Sequence, residues 1–463
     1  MELKGLRFAM HNLGCKVNSY EAEAMSEAIL EEGAILVPFH EEADIYLINT
    51  CSVTNIADRK SRQMIHQAKE RNPDALVIAC GCYVEGKKEE LEKEQGVDIF
   101  IGNSGKGQIV ERIKAYYAAM RENDTAIEAY LPKRRGEEEY EALSLKKPLE
   151  RSRAFVKIQD GCNQFCAYCI IPYVRGRIRS RKVEDCLDEI RRIGEQGIEE
   201  IVLTGIHLSS YGLDFRNLSY EKASRMEESG EALLHLIREI ACLPTIKRIR
   251  LGSLEPRVIT EKFMRGLQEI DAFCPHFHLS LQSGAERTLR RMNRHYTKEE
   301  FREAVNRIRE VYPLAAITTD VIVGFPGETE EDVEDLLSFL TEERFDRLGV
   351  FPYSREEGTK AALMENQLPE SIKNKRLSRL MDLQQEIAFQ KADAQIGRVL
   401  KALVIGYDEE EKRVVLRTYM DSPEIDSFLY VSGERKENGT FLSVKVVSTE
   451  GYDLIGEYSE SSQ

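Results

Sequence analysis

Three cysteines near the middle of the chain have the spacing of metal-cluster ligands. Cys162, Cys166 and Cys169 form a C-x3-C-x2-C motif directly after a predicted strand. Three thiolates on one short loop can bind three irons of a [4Fe–4S] cubane, which leaves the fourth iron open to a substrate. A structural zinc site closes its shell with four ligands, and no fourth Cys or His is close in the sequence. We therefore predict a [4Fe–4S] cluster on this loop.

Three further cysteines each follow a predicted strand of the N-terminal region. Cys15, Cys51 and Cys82 are 36 and 31 residues apart. In open α/β sheets, sites form beyond the carboxyl ends of the strands, so these thiols can converge on a second three-ligand site. The alternative is a set of buried or redox cysteines. Cys80 would point to the same side as Cys82 if the strand continued, so spacing alone leaves either residue as the third ligand.

Alternating strands and helices position the N-terminal cysteines. The alternation extends over residues 1–118 and predicts an open parallel α/β sheet. Its predicted strands are Leu6–Met10, Asp44–Asn49, Ala75–Ala79 and Val97–Ile101, and its predicted helices include Glu21–Glu32 and Ala57–Arg71. Residues 119–150 are charged and lack apolar periodicity, so we expect a linker that could contain a hairpin.

A second alternating series positions the central cysteine loop. Residues 151–396 predict a partial (β/α)6 barrel. Its strands are expected at Phe155–Gln159, Glu200–Thr204, Lys247–Leu251, Phe277–Gln282, Ile317–Val323 and Arg347–Tyr353. A long helix is expected at Lys373–Gln395. Residues 397–463 contain short β-rich runs broken by Asp, Gly and Asn, which predict a small OB-like β-barrel.

The order of the motifs resembles the methylthiotransferase family of radical S-adenosylmethionine (SAM) enzymes nearly from end to end. LGCKVNSYE, INTCSVTN, GCY, the C-x3-C-x2-C stretch, GFPGET and FPYSREEGT precede a TRAM-type barrel. The resemblance implies two [4Fe–4S] clusters, with the SAM cluster on Cys162, Cys166 and Cys169 and an auxiliary cluster on Cys15, Cys51 and Cys82. The family pattern Gly-Cys followed by an aromatic or aliphatic residue matches Gly81–Cys82–Tyr83, which favours Cys82 over Cys80.

The resemblance also implies the cofactor and the reaction. Two SAM molecules would be used per turnover: one methylates a sulfur on the auxiliary cluster, and the other is cleaved to a 5′-deoxyadenosyl radical that abstracts hydrogen from the substrate. SAM contacts are expected at strand ends of the barrel, namely Thr204, Gly205, Ser280, Gln282, Val323 and Gly324. Ordinary turns are the alternative at these positions. The sequence shows no flavin or second redox site, so an external flavodoxin or ferredoxin is expected to supply the electron.

Two substrate classes are known in the family, and the core motifs favour one of them. LTGIHLSSYG, RIRLGSLEP, LSLQSG and TTDVIVGFPGET resemble the branch that modifies C2 of N6-threonylcarbamoyladenosine at position 37 of tRNA. The isopentenyladenosine branch usually carries Gln-Asn where His207–Leu208 stand here. The alternative substrate is an aspartate of a ribosomal protein, because RTYMDSPEID and GYDLIGE resemble the terminal barrel of that branch.

The charge distribution bears on the same question. The chain has a net charge of −15, which does not suggest an overall nucleic-acid binder. Residues 151–182 nevertheless have a net charge of +7, and four alternating arginines would share one face of an extended segment. These are Arg175, Arg177, Arg179 and Arg181, for which we predict contact with RNA or SAM; salt bridges are the alternative. The terminal segment 389–463 has a net charge of −5, which is unusual for an RNA-binding barrel.

The remaining features concern compartment and packing. Ten cysteines in an apparently cytosolic chain argue for metal or redox chemistry rather than a disulfide framework. No apolar run approaches the length of a membrane span, and no secretory signal is visible, so a cytoplasmic location is expected. Cys186, Cys242 and Cys274 are predicted to be packing residues.

Overall fold

The N-terminal region is a parallel sheet flanked by helices. The computed structural model describes residues 3–52, 54–87, 91, 96–122, 139–141, 143–148, 152–216, 222, 230–422 and 427–459. The first strands are β1 (Arg7–Asn12), β2 (Ile35–Val37), β3 (Ile45–Thr50), β4 (Leu76–Gly81) and β5 (Ile99–Ile101). All neighbours are parallel, in the order β2-β1-β3-β4-β5. The helices are α1 (Lys16–Glu31), α2 (Asn55–Arg71), α3 (Cys82–Gly86) and α4 (Ile109–Glu122).

The predicted N-terminal sheet is confirmed, with one strand added. Every residue of β3 and β4 is buried, as expected for central strands covered by helices on both faces. The edge strand β2 was not predicted. It is only three residues long, and Ile35 and Leu36 are exposed, so it has neither the length nor the burial pattern of a central strand.

The central region is a partial barrel. Its strands are β6 (Ala154–Asp160), β7 (Arg179–Ser180), β8 (Glu200–Gly205), β9 (Arg248–Leu251), β10 (His276–Gln282), β11 (Ala316–Val323) and β12 (Arg347–Pro352). Parallel pairing joins β6-β8-β9 and β10-β11-β12, and isolated parallel bridges connect the two sheets. The short β7 pairs antiparallel with β6. The six parallel strands therefore follow one another in chain order, as predicted for a (β/α)6 partial barrel.

Amphipathic helices cover the outside of this barrel. They are α5 (Ile171–Val174), α6 (Val183–Glu195), α7 (Glu231–Ala241), α8 (Glu261–Gln268), α9 (Glu286–Arg291), α10 (Lys298–Val311), α11 (Glu330–Glu343) and α12 (Glu370–Asp393). The helices α10 and α11 begin with capping boxes at Thr297 and Thr329. Their apolar residues join the strands in the largest hydrophobic core of the molecule.

The C-terminal region is a closed five-stranded barrel. Its strands are β13 (Val399–Asp408), β14 (Arg413–Arg417), β15 (Leu429–Ser432), β16 (Phe441–Glu450) and β17 (Asp453–Tyr458), in the order β13-β14-β15-β17-β16. The predicted small β-barrel is therefore confirmed, and it has its own apolar core.

An ionic cluster joins this small barrel to the central one. Glu200 is fully buried among the guanidinium groups of Arg248, Arg250 and Arg417, at 2.8–3.3 Å. Burial alone would raise the pKa of Glu200, but the three arginines lower it to about 2. Arg250 also donates to the carbonyl oxygen of Thr418 at 2.6 Å. The terminal module thus contributes an arginine and a carbonyl oxygen to a buried cluster around a carboxylate of the central barrel.

The segment between the first two regions packs against both. Leu143 and Leu145 are buried with Tyr20 of α1 and with Phe155 of β6. The predicted hairpin of the linker lies outside the described residues for most of its length. The boundaries predicted at residues 118, 150 and 396 stay predictions.

The three cysteines assigned to packing differ in exposure. Cys186 and Cys274 are buried, as predicted, but Cys242 is exposed because it caps the end of α7. The prediction was therefore wrong for Cys242. Within the described ranges, every helix is too short or too polar to span a bilayer.

Candidate functional site: two cysteine sets beside one cavity

The N-terminal cysteines meet at the carboxyl edge of the parallel sheet. Cys51 directly follows β3 and Cys82 directly follows β4, and the last residues of these strands, Thr50 and Gly81, are register partners. Cys15 occupies the N-cap of α1, just beyond β1. The sheet therefore brings together residues that are far apart in the sequence.

Two glycines and one asparagine allow this convergence. A Cβ on Gly14 would lie 2.7 Å from Sγ of Cys51, and one on Gly81 would lie 2.6 Å from the Thr50 carbonyl oxygen. Both glycines have left-handed φ values, +105° and +101°. The Asn18 amide donates to the Leu13 carbonyl at 2.7 Å and to the Thr50 carbonyl at 3.0 Å. These contacts hold the turns that carry Cys15 and Cys51 against each other.

The surroundings of Cys80 and Cys82 differ in a way that favours Cys82 as the ligand. Cys80 lies in the apolar core of the sheet, where its thiol contacts the carbonyl of Ile48 at 3.6 Å. Burial raises its pKa to about 12. Cys82 lies at the start of α3 beside the Asn103 amide, at 3.6 Å. Burial raises the pKa of Cys82 as well, and Arg175 counteracts this effect. Cys82 directly follows β4, at the edge of the sheet where Cys15 and Cys51 also lie.

The central cysteines lie on a loop fastened to the segment before β7. The backbone N–H of Cys162 donates to the Gly176 carbonyl at 3.1 Å. The preceding Gly161 has φ +71°, and a Cβ there would lie 1.9 Å from the Arg177 carbonyl oxygen. No other residue fits at this position without moving the backbone. Phe165, between two of the cysteines, also has positive φ (+50°), and its ring stacks edge-on against Tyr173.

The connection between α9 and α10 supports the other side of this loop. Ala167 donates its N–H to the Met292 carbonyl at 2.8 Å, and the Asn293 amide donates to the Phe165 carbonyl at 3.0 Å. Arg294 donates to Sγ of Cys166 at 3.2 Å and forms an ion pair with Glu255 at 2.9 Å. The Cys166 thiolate would therefore receive a charge-assisted hydrogen bond.

Each set has the donor chemistry of a three-ligand cluster. Burial raises the pKa of Cys162 well above the ordinary value and that of Cys169 to about 12, so these thiols need a cationic partner to ionise. Iron would supply that positive charge. In the described part of the chain, no three His, Cys, Asp or Glu side chains converge tightly enough to hold a single ion. The thiols of a cubane bind different irons, so this spacing fits a cluster better than zinc.

A buried ionic network links the two sets. Glu21 of α1 is fully buried and contacts Lys106, Lys157 (2.6 Å) and Arg175 (3.0 Å). Lys157 and Arg175 also contact Asp160, at 2.6 and 3.1 Å. Burial would raise the pKa of Glu21, but the three cations lower it well below its usual value. Three cations face two carboxylates, and the excess positive charge lies beside Cys82 and Cys15, where it suits an anionic thiolate-bound cluster.

The four arginines predicted to share an exposed face do not do so. Arg175 is buried in the network just described, and Arg181 is buried in an ion pair with Glu189. The prediction of RNA contact was therefore wrong for these two. The strand β7 covers only two residues, so the alternation of an extended segment does not apply to all four. Arg177 is exposed over the Phe165 ring, and Arg179 is half-buried, 3.7 Å from Asp160.

The residues predicted to contact SAM divide into two groups. Thr204 and Gly205, at the end of β8, line a cavity of about 900 Å³ that Cys15 also lines. Gln282 has φ +66° beside a register shift of β10, and the Ser280 carbonyl accepts from Arg294 at 3.3 Å. Ser280 and Gln282 do not line the cavity. The Arg294 side chain nevertheless connects Ser280 to Cys166, because it donates to the Ser280 carbonyl and to Sγ of Cys166.

Two of the predicted SAM residues face elsewhere. Val323 is fully buried in the main apolar core, so its side chain points away from the cavity. The N–H of Gly324 donates to the Glu328 carboxylate at 2.8 Å, and a Cβ there would lie 2.4 Å from Lys373. Neither residue lines the cavity, and Gly324 packs against α12. The expected contact of this strand end with SAM stays a prediction.

The cysteine sets are close neighbours. The Asn103 amide lies 3.6 Å from Sγ of Cys82 and donates at 2.9 Å to the Val174 carbonyl of α5, the helix that follows Cys169. The residues that hold the sets in place were not predicted: Asn18, Glu21, Lys106, Asn103 and Arg294. Asn18 and Glu21 lie inside the quoted LGCKVNSYE motif, three and six residues after Cys15, so these two had a visible signal.

Family models match three parts of the chain. Uncharacterized protein family UPF0004 matches residues 7–102, the Radical SAM superfamily matches residues 156–340, and a TRAM domain matches residues 396–458. A solved structure of the radical S-adenosylmethionine methyltransferase TsrM from Kitasatospora setae aligns with a TM-score of 0.54 and 15% identity, over 75% of this chain and 72% of that chain. That similarity shows a shared fold. The barrel and its three-cysteine loop thus define a radical SAM enzyme.

Two curated relatives refine the class. "Threonylcarbamoyladenosine tRNA methylthiotransferase MtaB" of Bacillus subtilis (strain 168) is 38% identical over 418 residues, covering 89% of this chain and 88% of the relative. "Ribosomal protein uS12 methylthiotransferase RimO" of Thermoanaerobacter sp. (strain X514) is 35% identical over 451 residues, covering 96% and 98%. The chain therefore belongs to the methylthiotransferase family of radical SAM enzymes, and its sequence is MtaB-like.

Proposed function

We propose that this protein methylthiolates C2 of N6-threonylcarbamoyladenosine at position 37 of tRNA. The observation that carries the proposal is the proximity of the two cysteine sets. The Asn103 amide lies 3.6 Å from Sγ of Cys82 and donates at 2.9 Å to the Val174 carbonyl of α5, the helix that follows Cys169. Cys15 lines the cavity together with Thr204 and Gly205. Sulfur insertion needs a sulfur-bearing centre and a radical-generating centre within reach of one substrate carbon, and this arrangement supplies both.

We assign the two clusters and the SAM site residue by residue. Cys162, Cys166 and Cys169 would hold the SAM cluster, and Cys15, Cys51 and Cys82 the auxiliary cluster. Each set has three thiols, so each cluster would keep one iron open to an exogenous ligand. When bound, the clusters and SAM supply the radical and methyl chemistry of the reaction. Thr204 and Gly205 would contact SAM at the end of β8, and the backbone of Ser280 and Gln282 would contribute from β10.

Side chains of the network would keep both clusters in place. The Arg294 guanidinium donates to Cys166 and is fixed by Glu255, so it would stabilise the thiolate form. Arg175 joins Asn18 of the N-terminal region (2.6 Å) to Asp160 of the central barrel. A rotation of one region against the other would break these buried ion pairs, so the distance between the clusters would be constant.

The substrate assignment rests on the core motifs and on the names of relatives. A relative with 38% identity is named for threonylcarbamoyladenosine in tRNA. Arg177, exposed over the cysteine loop, is the arginine best suited to a phosphate contact, with Arg179 beside it. The second candidate is an aspartate of a ribosomal protein. It is favoured by the similarity to the uS12-modifying relative and by the acidic terminal module, which could meet a basic protein.

The proposed reaction has further requirements. An external one-electron donor, flavodoxin or ferredoxin, would reduce the SAM cluster. We also propose that the enzyme works in the cytoplasm, where its tRNA substrate occurs.

Nucleoside analysis of a deletion strain tests the substrate. Mass spectrometry of tRNA hydrolysates should show loss of 2-methylthio-N6-threonylcarbamoyladenosine, accumulation of the unmethylthiolated nucleoside, and rescue by the wild-type gene. Persistence of the methylthio form would exclude the tRNA proposal. Measurement of the uS12 mass in the same strain would reveal whether the ribosomal protein is the substrate instead.

A further inference from the structure

The cavity extends well beyond the cysteine sets. From Cys15 and Thr204 it reaches the first residues of β10 and β12, His276 and Arg347, and one side of α12 at Gln384. Its volume of about 900 Å³ leaves space for more than one small molecule. We call the part lined by His276, Arg347 and Gln384 the deep end.

Two buried polar atoms at the deep end have no hydrogen-bond partner among the described residues. Nε2 of His276 is one, although this residue is only 4% exposed. Oε1 of Gln384, in a residue 5% exposed, is the other, while its amide nitrogen donates to the Phe345 carbonyl at 3.1 Å. Leaving a buried polar group unpaired is destabilising, because the group has lost its hydrogen bonds to water. Two such atoms on one cavity wall point to a ligand that offers a donor and an acceptor.

The next histidine on the same strand shows the contrast. His278 also lines the cavity, but Nδ1 contacts the Thr318 hydroxyl at 2.8 Å and Nε2 contacts the Asp320 carboxylate at 3.2 Å. Its polar atoms are satisfied within the protein. The unpaired Nε2 of His276 is therefore a feature of the deep end and is not common to the histidines of this strand.

The deep end is positively charged. His276 shares the cavity wall with Lys16, Arg250, His278 and Arg347. Burial lowers the pKa of His276 well below its usual value, and the charges of these groups lower it further. Arg347 donates to the Asp346 carbonyl at 2.9 Å and to the Ser427 hydroxyl, which are both neutral acceptors. No carboxylate of a described residue forms an ion pair with Arg347.

The other charged groups of the cavity are already engaged. Arg250 pairs with Glu200 and donates to two backbone carbonyls. Asp320 pairs with His278, and Asp453 accepts the Phe428 N–H at 2.8 Å. Lys16 donates to the Ser422 hydroxyl at 3.2 Å. Arg347 is thus the cation best placed to receive an anionic group at the deep end.

We propose that the deep end binds the threonylcarbamoyl group of the substrate adenosine, with its carboxylate on Arg347 and its hydroxyl and urea groups on His276 and Gln384. This inference rests on the proposed function and deepens it by assigning the specificity site. A site that hydrogen-bonds a polar group strongly rejects an analogue that lacks it, because its own buried groups then stay unpaired. The apolar isopentenyl side chain would be excluded in this way.

The test uses the reconstituted holoenzyme and three anticodon stem-loops. They carry N6-threonylcarbamoyladenosine, its carboxyl methyl ester, or N6-isopentenyladenosine, and the readout is kcat/KM for methylthiolation. Wild-type enzyme should prefer the free acid over the ester by about 10-fold or more, which corresponds to the loss of one charged contact. Arg347→Met should reduce this ratio to within about 3-fold, and Gln384→Met should lower kcat/KM for the acid and the ester alike.

Controls separate a local effect from misfolding. Arg191→Met removes an exposed arginine on the outer face of α6 and should keep the wild-type ratio. Formation of 5′-deoxyadenosine without RNA, measured in every variant, reports whether the clusters and SAM binding are intact, and Arg191→Met should match the wild type. The ester comparison changes the substrate alone and so does not depend on the folding of any variant.

Two results would overturn the inference and leave the proposed function standing. One is equal use of acid and ester by the wild-type enzyme, and the other is an unchanged acid-to-ester ratio in Arg347→Met. Methylthiolation of a ribosomal-protein peptide and of none of the stem-loops would overturn the proposed function, and the inference with it.

Discussion

The cysteines of the central loop lie between residues 162 and 169, whereas Cys15, Cys51 and Cys82 come from the ends of three separate strands. The central set depends on the backbone path of one loop, which Gly161 and the connection between α9 and α10 hold in place. The N-terminal set depends on strand register, because the Thr50 and Gly81 partners put Cys51 beside Cys82. One site is thus local and the other long-range, so substitutions should damage them in different ways.

Removal of one cysteine from each set should give the largest and most distinct effects. Wild-type protein reconstituted anaerobically should bind about eight irons, and Cys166→Ala and Cys82→Ala should each bind about four, because each set holds one cubane. Cys166→Ala should lose both SAM cleavage and methylthiolation. Cys82→Ala should keep SAM cleavage and lose methylthiolation. Iron analysis and 5′-deoxyadenosine quantification measure these outcomes.

Cys80→Ala is the matched control for Cys82→Ala. Cys80 lies in the apolar core of the sheet, so its replacement should leave about eight irons bound. If Cys80→Ala lost four irons and Cys82→Ala lost none, the assignment of the third N-terminal ligand would be reversed.

Replacement of Gly161 should damage the central set alone. An alanine Cβ would lie 1.9 Å from the Arg177 carbonyl, and the residue has φ +71°, so the loop must move. We expect Gly161→Ala to lose the irons of the central cluster and to retain the N-terminal cluster. Iron content and the spectrum of the remaining cluster check this expectation.

Gly197→Ala tests whether the clash or the left-handed backbone is responsible. Gly197 has φ +85° with no atom near the position of a Cβ. That variant should lose only about 1–2 kcal/mol of unfolding free energy, the cost of a left-handed non-glycine residue, and should keep both clusters. Loss of iron in Gly197→Ala but not in Gly161→Ala would contradict the role given to the Arg177 carbonyl.

Both cysteine sets should depend on the ionic network around Glu21, so disrupting this network should destabilise the whole fold. Glu21→Gln removes one carboxylate from a buried cluster with three cations, and we expect a loss of about 3–5 kcal/mol in the free energy of unfolding. Urea denaturation of the protein measures it. Glu31→Gln is the control, because its exposed pair with Lys146 should contribute no more than ~1 kcal/mol. Equal effects of the two substitutions would refute the importance of the network.

Glu21 should also make the free energy of unfolding depend on pH. Because the folded protein holds the pKa of Glu21 well below its usual value, the unfolded chain binds the proton more readily. The stabilisation is complete above the ordinary pKa of glutamate and is lost as the pH falls through the lower pKa of the folded state. The difference in unfolding free energy between wild type and Glu21→Gln should therefore shrink on acidification.

The smallest effect concerns RNA contact beside the central loop. Arg177→Ala should weaken binding of an anticodon stem-loop about equally for all sequences and reduce the salt slope by about one, as expected for a single phosphate contact. Filter binding at several salt concentrations measures this slope. Arg191→Ala, on the far side of α6, should leave the slope unchanged, and an unchanged slope in Arg177→Ala would remove this arginine from the interface.

Elements that depend on local periodicity were predictable from the sequence. The six parallel strands of the central barrel lie within one or two residues of their predicted positions, because each combines a buried apolar run with flanking turn residues. The three-residue β2 was missed, although Ala34–Val37 is a short apolar run between Gly33 and Pro38. The convergence of Cys15, Cys51 and Cys82 was predictable because parallel strands all end at the same edge of a sheet.

Contacts between distant segments were not predictable in the same way. Arg175 and Arg181 looked like an exposed basic face, but their carboxylate partners, Glu21 and Glu189, belong to helices whose position against the loop is not visible in one sequence. Arg294 donates to Cys166 over a separation of 128 residues, and its local sequence does not indicate that contact. The charge pattern of a segment therefore says little about which arginines are free for RNA.

The cluster of Arg248, Arg250 and Arg417 around Glu200 has a consequence for modularity. The small terminal barrel contributes one of the arginines and the carbonyl oxygens that cap the other two. If the chain were cut before β13, Arg248 and Arg250 would still pair with Glu200 but would lose the carbonyl oxygens that accept their other hydrogen bonds. The terminal barrel is therefore not an independent module. A chimera that replaced it with the barrel of a relative would have to retain the segment around Thr418 of this chain.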